Sequence, residues 1–251
     1  MTVAEAIAIG CAGVGAGTIN TVVGSGTLLT FPVLLAFGYP PVVANVSNTV
    51  GLVPGSLTGA HGYRAELAGQ GRRAVVLGTA SALGGLTGAV LLLALPASAF
   101  KDIVPAFIVV ALALVVFQPR LAAALDARGT ARKTHGGGWT AAALFGIGVY
   151  GGYFGAAQGI MLLAALGLGL NETLQRTNGL KNVLAGLTNL VAGLVFVVAA
   201  HIDWKVALVL AVGSTAGGVL GARIGRRLPP QALRGLIVVV GISAIAKLVL
   251  T

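Results

Sequence analysis

Residues 14–35 read Val14-Gly15-Ala16-Gly17-Thr18-Ile19-Asn20-Thr21-Val22-Val23-Gly24-Ser25-Gly26-Thr27-Leu28-Leu29-Thr30-Phe31-Pro32-Val33-Leu34-Leu35. An apolar stretch runs into a glycine-rich break at Gly24-Ser25-Gly26 and resumes as a second, shorter apolar stretch. A break of this kind frees backbone groups that hydrocarbon cannot satisfy, so it belongs inside protein or beside a cavity. The pattern returns later in the chain. Val149-Tyr150-Gly151-Gly152 leads to Gly155 and then to Gln158-Gly159, and Ser47-Asn48 after the first break is matched by Thr177-Asn178 after the second. The repeat is about 125 residues long, far more than one solenoid unit.

Outward from these breaks, apolar segments occupy 3–22, 25–38, 40–60, 73–95 and 99–117, then 139–156, 159–169, 171–199, 204–222 and 232–250, with a polar connection at 118–138. Most approach the ~20 residues that cross ~30 Å of hydrocarbon; 25–38 and 159–169 are too short, and each is the second segment of its half. The predicted fold is all-α, a polytopic membrane helical bundle of two inverted-topology repeats. Each repeat has five segments, including a short broken or re-entrant helix. Residues 1–117 form the first repeat, 118–138 a cytoplasmic linker, and 139–251 the second, inverted repeat. An odd number of crossings per half is what turns the second half over.

Charge fixes the orientation. Arg64, Arg72 and Arg73, then Arg120, Arg128, Arg132 and Lys133, then Arg223, Arg226, Arg227 and Arg234 fall on one side, against Lys101, Lys205 and Lys247 on the other. Positive residues mark the cytoplasmic side, so the expected location is the cell inner membrane with both termini extracytoplasmic. Trp139 and Trp204 fall at segment ends, where interfacial indoles are expected. The N-terminal stretch carries Glu5 and no basic leader, so it reads as the first membrane helix rather than a cleaved signal.

The composition excludes other classes. The chain is 57% hydrophobic and 9% charged, whereas a soluble domain carries about 25% charged residues. Its net charge of +10 sits in short gaps between apolar runs, so no nucleic-acid partner is expected; the lipid bilayer is the partner. Cys11 is the single cysteine, which rules out an internal disulfide, and no thiolate metal cluster or cofactor site is indicated. No Gly-x4-Gly-Lys-Ser/Thr occurs, so this chain carries no P-loop. An intramembrane serine hydrolase would need a base near Ser25, yet His61, His135 and His201 all lie in or beside polar connections. The chain reads as no enzyme.

The strongest local signal is a polar stripe on 171–199. Gln175, Asn178, Lys181, Asn182, Thr188 and Asn189 fall within an arc of about 140°. Lys181 lies roughly 15 Å in, counted from Asn171 at 1.5 Å per residue. A lysine there costs from about 3 to above 10 kcal/mol, and none of the six acidic residues falls at that depth. Two readings stand: the charge is balanced by an anionic substrate, or it is a structural lysine bonded to backbone carbonyls at a helix break. The first half offers Asn45, Asn48, Thr49 and Ser56 on one face, either as substrate ligands or as interhelical joints. The breaks themselves, with Asn20, Ser25, Gly26 and Thr27 in one half and Gln158 and Gly159 in the other, would aim helix N-termini at an anion or serve close helix packing. Glu172 precedes Arg176 by four residues and reads as an ion pair with it.

These stretches resemble the signatures of the TauE/SafE family of sulfite exporters and toluene sulfonate uptake permeases. The first signature runs from Ala16 through Leu35 and continues in Ala44-Asn45-Val46-Ser47-Asn48-Thr49 and Val53-Pro54-Gly55-Ser56. The second is Tyr150-Gly151-Gly152-Tyr153-Phe154-Gly155-Ala156-Ala157-Gln158-Gly159 with Asn178-Gly179-Leu180-Lys181-Asn182. The resemblance covers nearly the whole chain. It departs where members often carry three or four consecutive glycines and this chain has Gly24-Ser25-Gly26-Thr27. The resemblance implies transport of sulfur-containing anions such as sulfite, sulfoacetate or other organosulfonates. With the repeat plan, the leading reading is a secondary transporter working by alternating access, with a proton or sodium ion as the candidate coupling ion. A passive anion channel and a non-transporting membrane scaffold are the alternatives, and glycine-rich helix faces leave a homodimer open.

Overall fold

The computed structural model describes residues 1–127 and 137–224, together with 235, 237–240 and 242. Arg128, Arg132, Lys133, His135, Arg226, Arg227, Arg234, Lys247 and most of the expected segment 232–250 lie outside the described residues. Among the described residues the regular structure is helical: α1 (Val3–Val22), α2 (Thr27–Ala36), α3 (Pro41–Gly62), α4 (Gly71–Ala94), α5 (Ala97–Ala127), α6 (Gly138–Tyr153), α7 (Gln158–Gly169), α8 (Leu174–Ala199) and α9 (Trp204–Ile224). Local chemistry sets several of the starts. Thr2 and Glu5 form a reciprocal capping box on α1, the Thr173 hydroxyl accepts from the Arg176 amide at the head of α8, and Asp203 Oδ1 accepts from Val206 at the head of α9. Each cap satisfies an amide that has no intrahelical partner.

Five helices, α1, α4, α5, α8 and α9, are long and apolar enough to cross a membrane by length and composition. Side chains such as Val3, Ile7, Leu208, Val212 and Val198 are exposed on their outer faces, as lipid contact requires. α3 has the length, at 22 residues, but Asn45, Ser47, Asn48, Thr49 and Ser56 occupy its buried face and keep it outside that set. α2 and α7, at 10 and 12 residues, span only about 15 and 18 Å.

Most boundaries shift by one to three residues from the sequence reading, and two shifts change the account. α5 does not stop at 117 but continues to Ala127, because Leu121-Ala122-Ala123-Ala124-Leu125 is strong helix former even where apolarity fades. α2 starts at Thr27 after Gly26 rather than at Ser25, so Ser25 lies in the break itself.

Small residues set the helix pairs. α4 carries Ser81-Ala82-Leu83-Gly84-Gly85-Leu86-Thr87-Gly88 and α9 carries Ser214-Thr215-Ala216-Gly217-Gly218-Val219-Leu220-Gly221. A Cβ on Gly84 would strike the Phe145 carbonyl of α6, and one on Gly217 the Val14 carbonyl of α1. Gly88 likewise abuts Val149, and Gly221 abuts Thr18. Backbones this close gain the van der Waals contact that holds helices together in lipid. The order of contacts also gives direction. Gly10 and Thr18 of α1 meet Val209 and Gly221 of α9, and Gly51 and Gly62 of α3 meet Leu210 and Ala222, so α1, α3 and α9 run the same way. Gly84 and Gly88 of α4 meet Phe145 and Val149 of α6, while Gly78 and Gly85 meet Leu184 and Thr188 of α8, so these three are also mutually parallel. Ser56 meets Gly186 and Val50 meets Gly193, which makes α3 and α8 antiparallel and sets the two trios against each other.

Candidate functional site

The two breaks meet. α1 ends with the Gly24 amide bonded to the Ile19 carbonyl, and α6 with the Gly155 amide bonded to the Tyr150 carbonyl, both at 3.0 Å. Both glycines have positive φ, 90° and 76°, which only glycine adopts without strain. Gly159 then donates its amide to the Gly24 carbonyl at 2.9 Å. The Cα atoms of Gly24 and Gly159 face each other so closely that a Cβ on either would collide with the other.

Around this contact some expected site groups are free and others are committed. Ser25, 1% exposed, and Gln158, 3% exposed, each lie one residue from it. Ser25 Oγ and Gln158 Nε2 have no hydrogen-bond partner. The amides of Ser25, Gly26 and Thr27 also lack partners among the described residues. Gly159, by contrast, has spent its amide on Gly24, which removes it from the expected anion donors. Asn48 is committed too: its Nδ2 donates to Thr27 Oγ1 at 3.4 Å and its Oδ1 accepts from Thr30.

Each break is capped from the opposite half. On α8, Lys181 is fully buried. Its Nζ donates to the carbonyls of Asn20 and Thr21 at 2.9 and 3.1 Å. Asn178 and Asn182 each donate an Nδ2 hydrogen to the Thr21 carbonyl at 3.3 Å. On α3, Asn45 donates to the Tyr153 carbonyl at the end of α6, 2.9 Å away. These donors satisfy carbonyls that the last turns of α1 and α6 leave open, and the lysine charge lies against the negative end of α1. Of the two readings of Lys181, this geometry fits the lysine bonded to backbone carbonyls at a helix break, and no carboxylate pairs with it among the described residues. Counted from the observed helix start at Leu174, the lysine lies about 10 Å in rather than 15.

One face of the bundle holds an ion cluster. Glu172 pairs with Arg176 at 2.7 Å, as expected, and also with Arg73 of α4, a partner 99 residues away that local spacing does not reveal. Arg176 reaches the Ala68 carbonyl, and Gln70 reaches the Arg176 carbonyl, at 3.1 and 3.2 Å. Burial alone would raise the Glu172 pKa, but the two guanidiniums hold it below its ordinary value. The other feature that went unread in the sequence is the matched Ser-x-x-Gly-Gly-x-x-Gly run of α4 and α9, which was visible there.

An apolar helical bundle with several membrane-length helices, two broken ones meeting inside it and buried polar side chains gathered at the meeting point is the architecture of a multi-pass membrane transporter. The comparisons agree. The family described as sulfite exporter TauE/SafE matches residues 9–248. A Haemophilus influenzae protein described as a probable membrane transporter is 29% identical over 247 residues, covering 95% of this chain and 92% of that one. Escherichia coli K12 YfcA, also described as a probable membrane transporter, is 24% identical over 93% of this chain and 85% of its own. A Sinorhizobium protein of the same description is 27% identical over 93% and 88%. No solved structure matches. The chain belongs to the TauE/SafE sulfite exporter family.

Proposed function

We propose that this protein is a secondary transporter of small sulfur-containing oxyanions, such as sulfite, sulfoacetate or other organosulfonates, working by alternating access in the inner membrane. The observation that carries the reading is the pair of buried, unpartnered polar groups, Ser25 Oγ and Gln158 Nε2, beside the Gly24–Gly159 contact. A buried donor without a partner costs about 1–3 kcal/mol, and an oxyanion accepting from it offsets that cost. The open amides at the start of α2 add the positive end of a helix to the same place.

Lys181 contributes at longer range. Its ammonium is bonded to the carbonyl of Asn20, four residues before Gly24, so it raises the local potential without leaving α1. The inverted-repeat reading draws support from the helix directions: each helix of the first half runs opposite to its counterpart in the second, α1 to α6, α3 to α8 and α4 to α9. Rocking of one half against the other would then pass through the Gly24–Gly159 contact and expose the anion to each side in turn, driven by a proton or sodium gradient.

Reconstitution in liposomes tests the reading, with uptake of labelled sulfite, sulfoacetate and taurine measured with and without a proton gradient. Saturable uptake and counterflow of at least one anion are expected. Currents that rise linearly with driving force and show no counterflow would replace the carrier with a channel. No flux of any of the three would remove the anion assignment.

A further inference from the structure

We propose that Asn20, Ser56 and Asn189 form a neutral subsite at the crossing of α3 and α8 that holds the oxygens of the transported anion. The proposal rests on anion transport and names additional residues that read the substrate. Asn20 Nδ2 donates to Ser56 Oγ at 3.3 Å and Asn189 Nδ2 to the same oxygen at 3.5 Å. The Ser56 hydroxyl gives its own proton to the Leu52 carbonyl at 3.1 Å. One oxygen thus orients two amides, one from each half of the chain. Each amide keeps a second N–H and its Oδ1 without a protein partner among the described residues.

Both asparagines are only half-buried, yet neither faces lipid. Asn20 lies about 180° round α1 from position 11, at 100° per residue, where Cys11 is exposed. Asn189 lies about 140° round α8 from position 194, where Leu194 is 58% exposed. Both amide nitrogens point into the bundle, at the buried Ser56 hydroxyl. Gly186 contributes no side chain where it passes Ser56, which leaves room beside the hydroxyl. The space is biased toward anions, because the backbone of Asn20 carries the Lys181 ammonium on its carbonyl. Neutral amide donors suit a transporter: they bind oxyanion oxygens but hold them less tightly than a fixed cation would.

Two measurements decide the assignment. In liposomes, Asn189→Ala and Asn20→Ala are each expected to raise the KM for labelled sulfite roughly five- to tenfold, the loss of about one hydrogen bond. Asn189→Asp, which sets a carboxylate against the anion, is expected to abolish saturable uptake while the protein still purifies folded. Unchanged KM in both alanine variants overturns the subsite. Separately, Asn189→Cys in a Cys11→Ser background is expected to react with a water-soluble methanethiosulfonate reagent and to be protected by sulfoacetate, which, unlike sulfite, does not itself consume the reagent. An unreactive thiol overturns the internal space. A wild-type protein that carries no sulfite or sulfonate, with Asn189→Cys still labelled, refutes the anion and leaves the space standing.

Discussion

Lys181 and Ser25 are both buried polar residues near the same break, but one has partners and the other has none, so their substitutions should part. Lys181→Met fills much of the same volume and removes the two bonds to the Asn20 and Thr21 carbonyls. Leaving the Asn20 carbonyl open should lower stability by about 1–3 kcal/mol, read as a fall in thermal midpoint in detergent. An unchanged or higher midpoint would mean that desolvation of the ammonium outweighs the cap, and the capping role would fail. Ser25→Ala removes a hydroxyl that bonds to nothing. Its stability should stay within about 0.5 kcal/mol of wild type, while the KM for the transported anion rises several-fold. At this scale the sequence was informative about which residues are buried and polar, because a lysine and several asparagines in apolar segments have few other places to go. It was silent on partners. The acceptor for Lys181 is a backbone carbonyl 161 residues away, and carbonyls carry no side-chain signature. The same silence hid the loss of the Gly159 amide to Gly24.

The two breaks depend on glycine for different reasons at different positions, which gives an internal control. Gly24→Ala would place a methyl group both in a left-handed conformation and against the Gly159 backbone. It should prevent the breaks from meeting and abolish transport. Gly38 also has positive φ, 84°, but nothing lies within 4 Å of its absent Cβ. Gly38→Ala should cost only about 1–2 kcal/mol of backbone strain and leave the KM unchanged. Equal transport defects in the two variants would show that strain, rather than the Gly24–Gly159 contact, is what matters.

The ion cluster between α4 and the head of α8 makes a second prediction about elements. Glu172 has a pKa lower in the folded protein than in the unfolded chain. Its contribution is therefore complete above the unfolded carboxylate value of about 4.3 and disappears as the pH falls through the lower folded value. Glu172→Gln should lower the thermal midpoint at pH 7 and flatten the acid limb of the midpoint-against-pH curve. A variant with the wild-type acid limb would locate that proton elsewhere. The breaks and short helices of this molecule were legible because glycine clusters and segment length report them directly. The clamp was half legible: Glu172 and Arg176 share a helical spacing, whereas Arg73 comes from another helix. The end of α5 was misjudged because apolarity and helicity part company in an alanine-rich stretch.

At the scale of the whole molecule, the packing of the halves constrains how they sit in the membrane. α1, α3 and α9 run one way and α4, α6 and α8 the other, so the turn at 37–40 and the turn at 200–203 share one face. The turns at 63–70 and 170–173 share the opposite face, the one with Arg73, Arg176 and Glu172. The positive-inside rule assigns the second face to the cytoplasm, and the first should then be outside. Single cysteines in a Cys11→Ser background test this directly. Gly38→Cys should react with an impermeant maleimide in intact cells, because Gly38 is exposed and its turn lies on the face that the charge rule would put outside. Ala68→Cys, on the other face, should react only after the membrane is opened. The reverse pattern would invert the orientation while preserving the bundle. Labelling of both from outside would break the link between helix direction and membrane side, and with it the alternating exposure on which transport by two opposed halves depends.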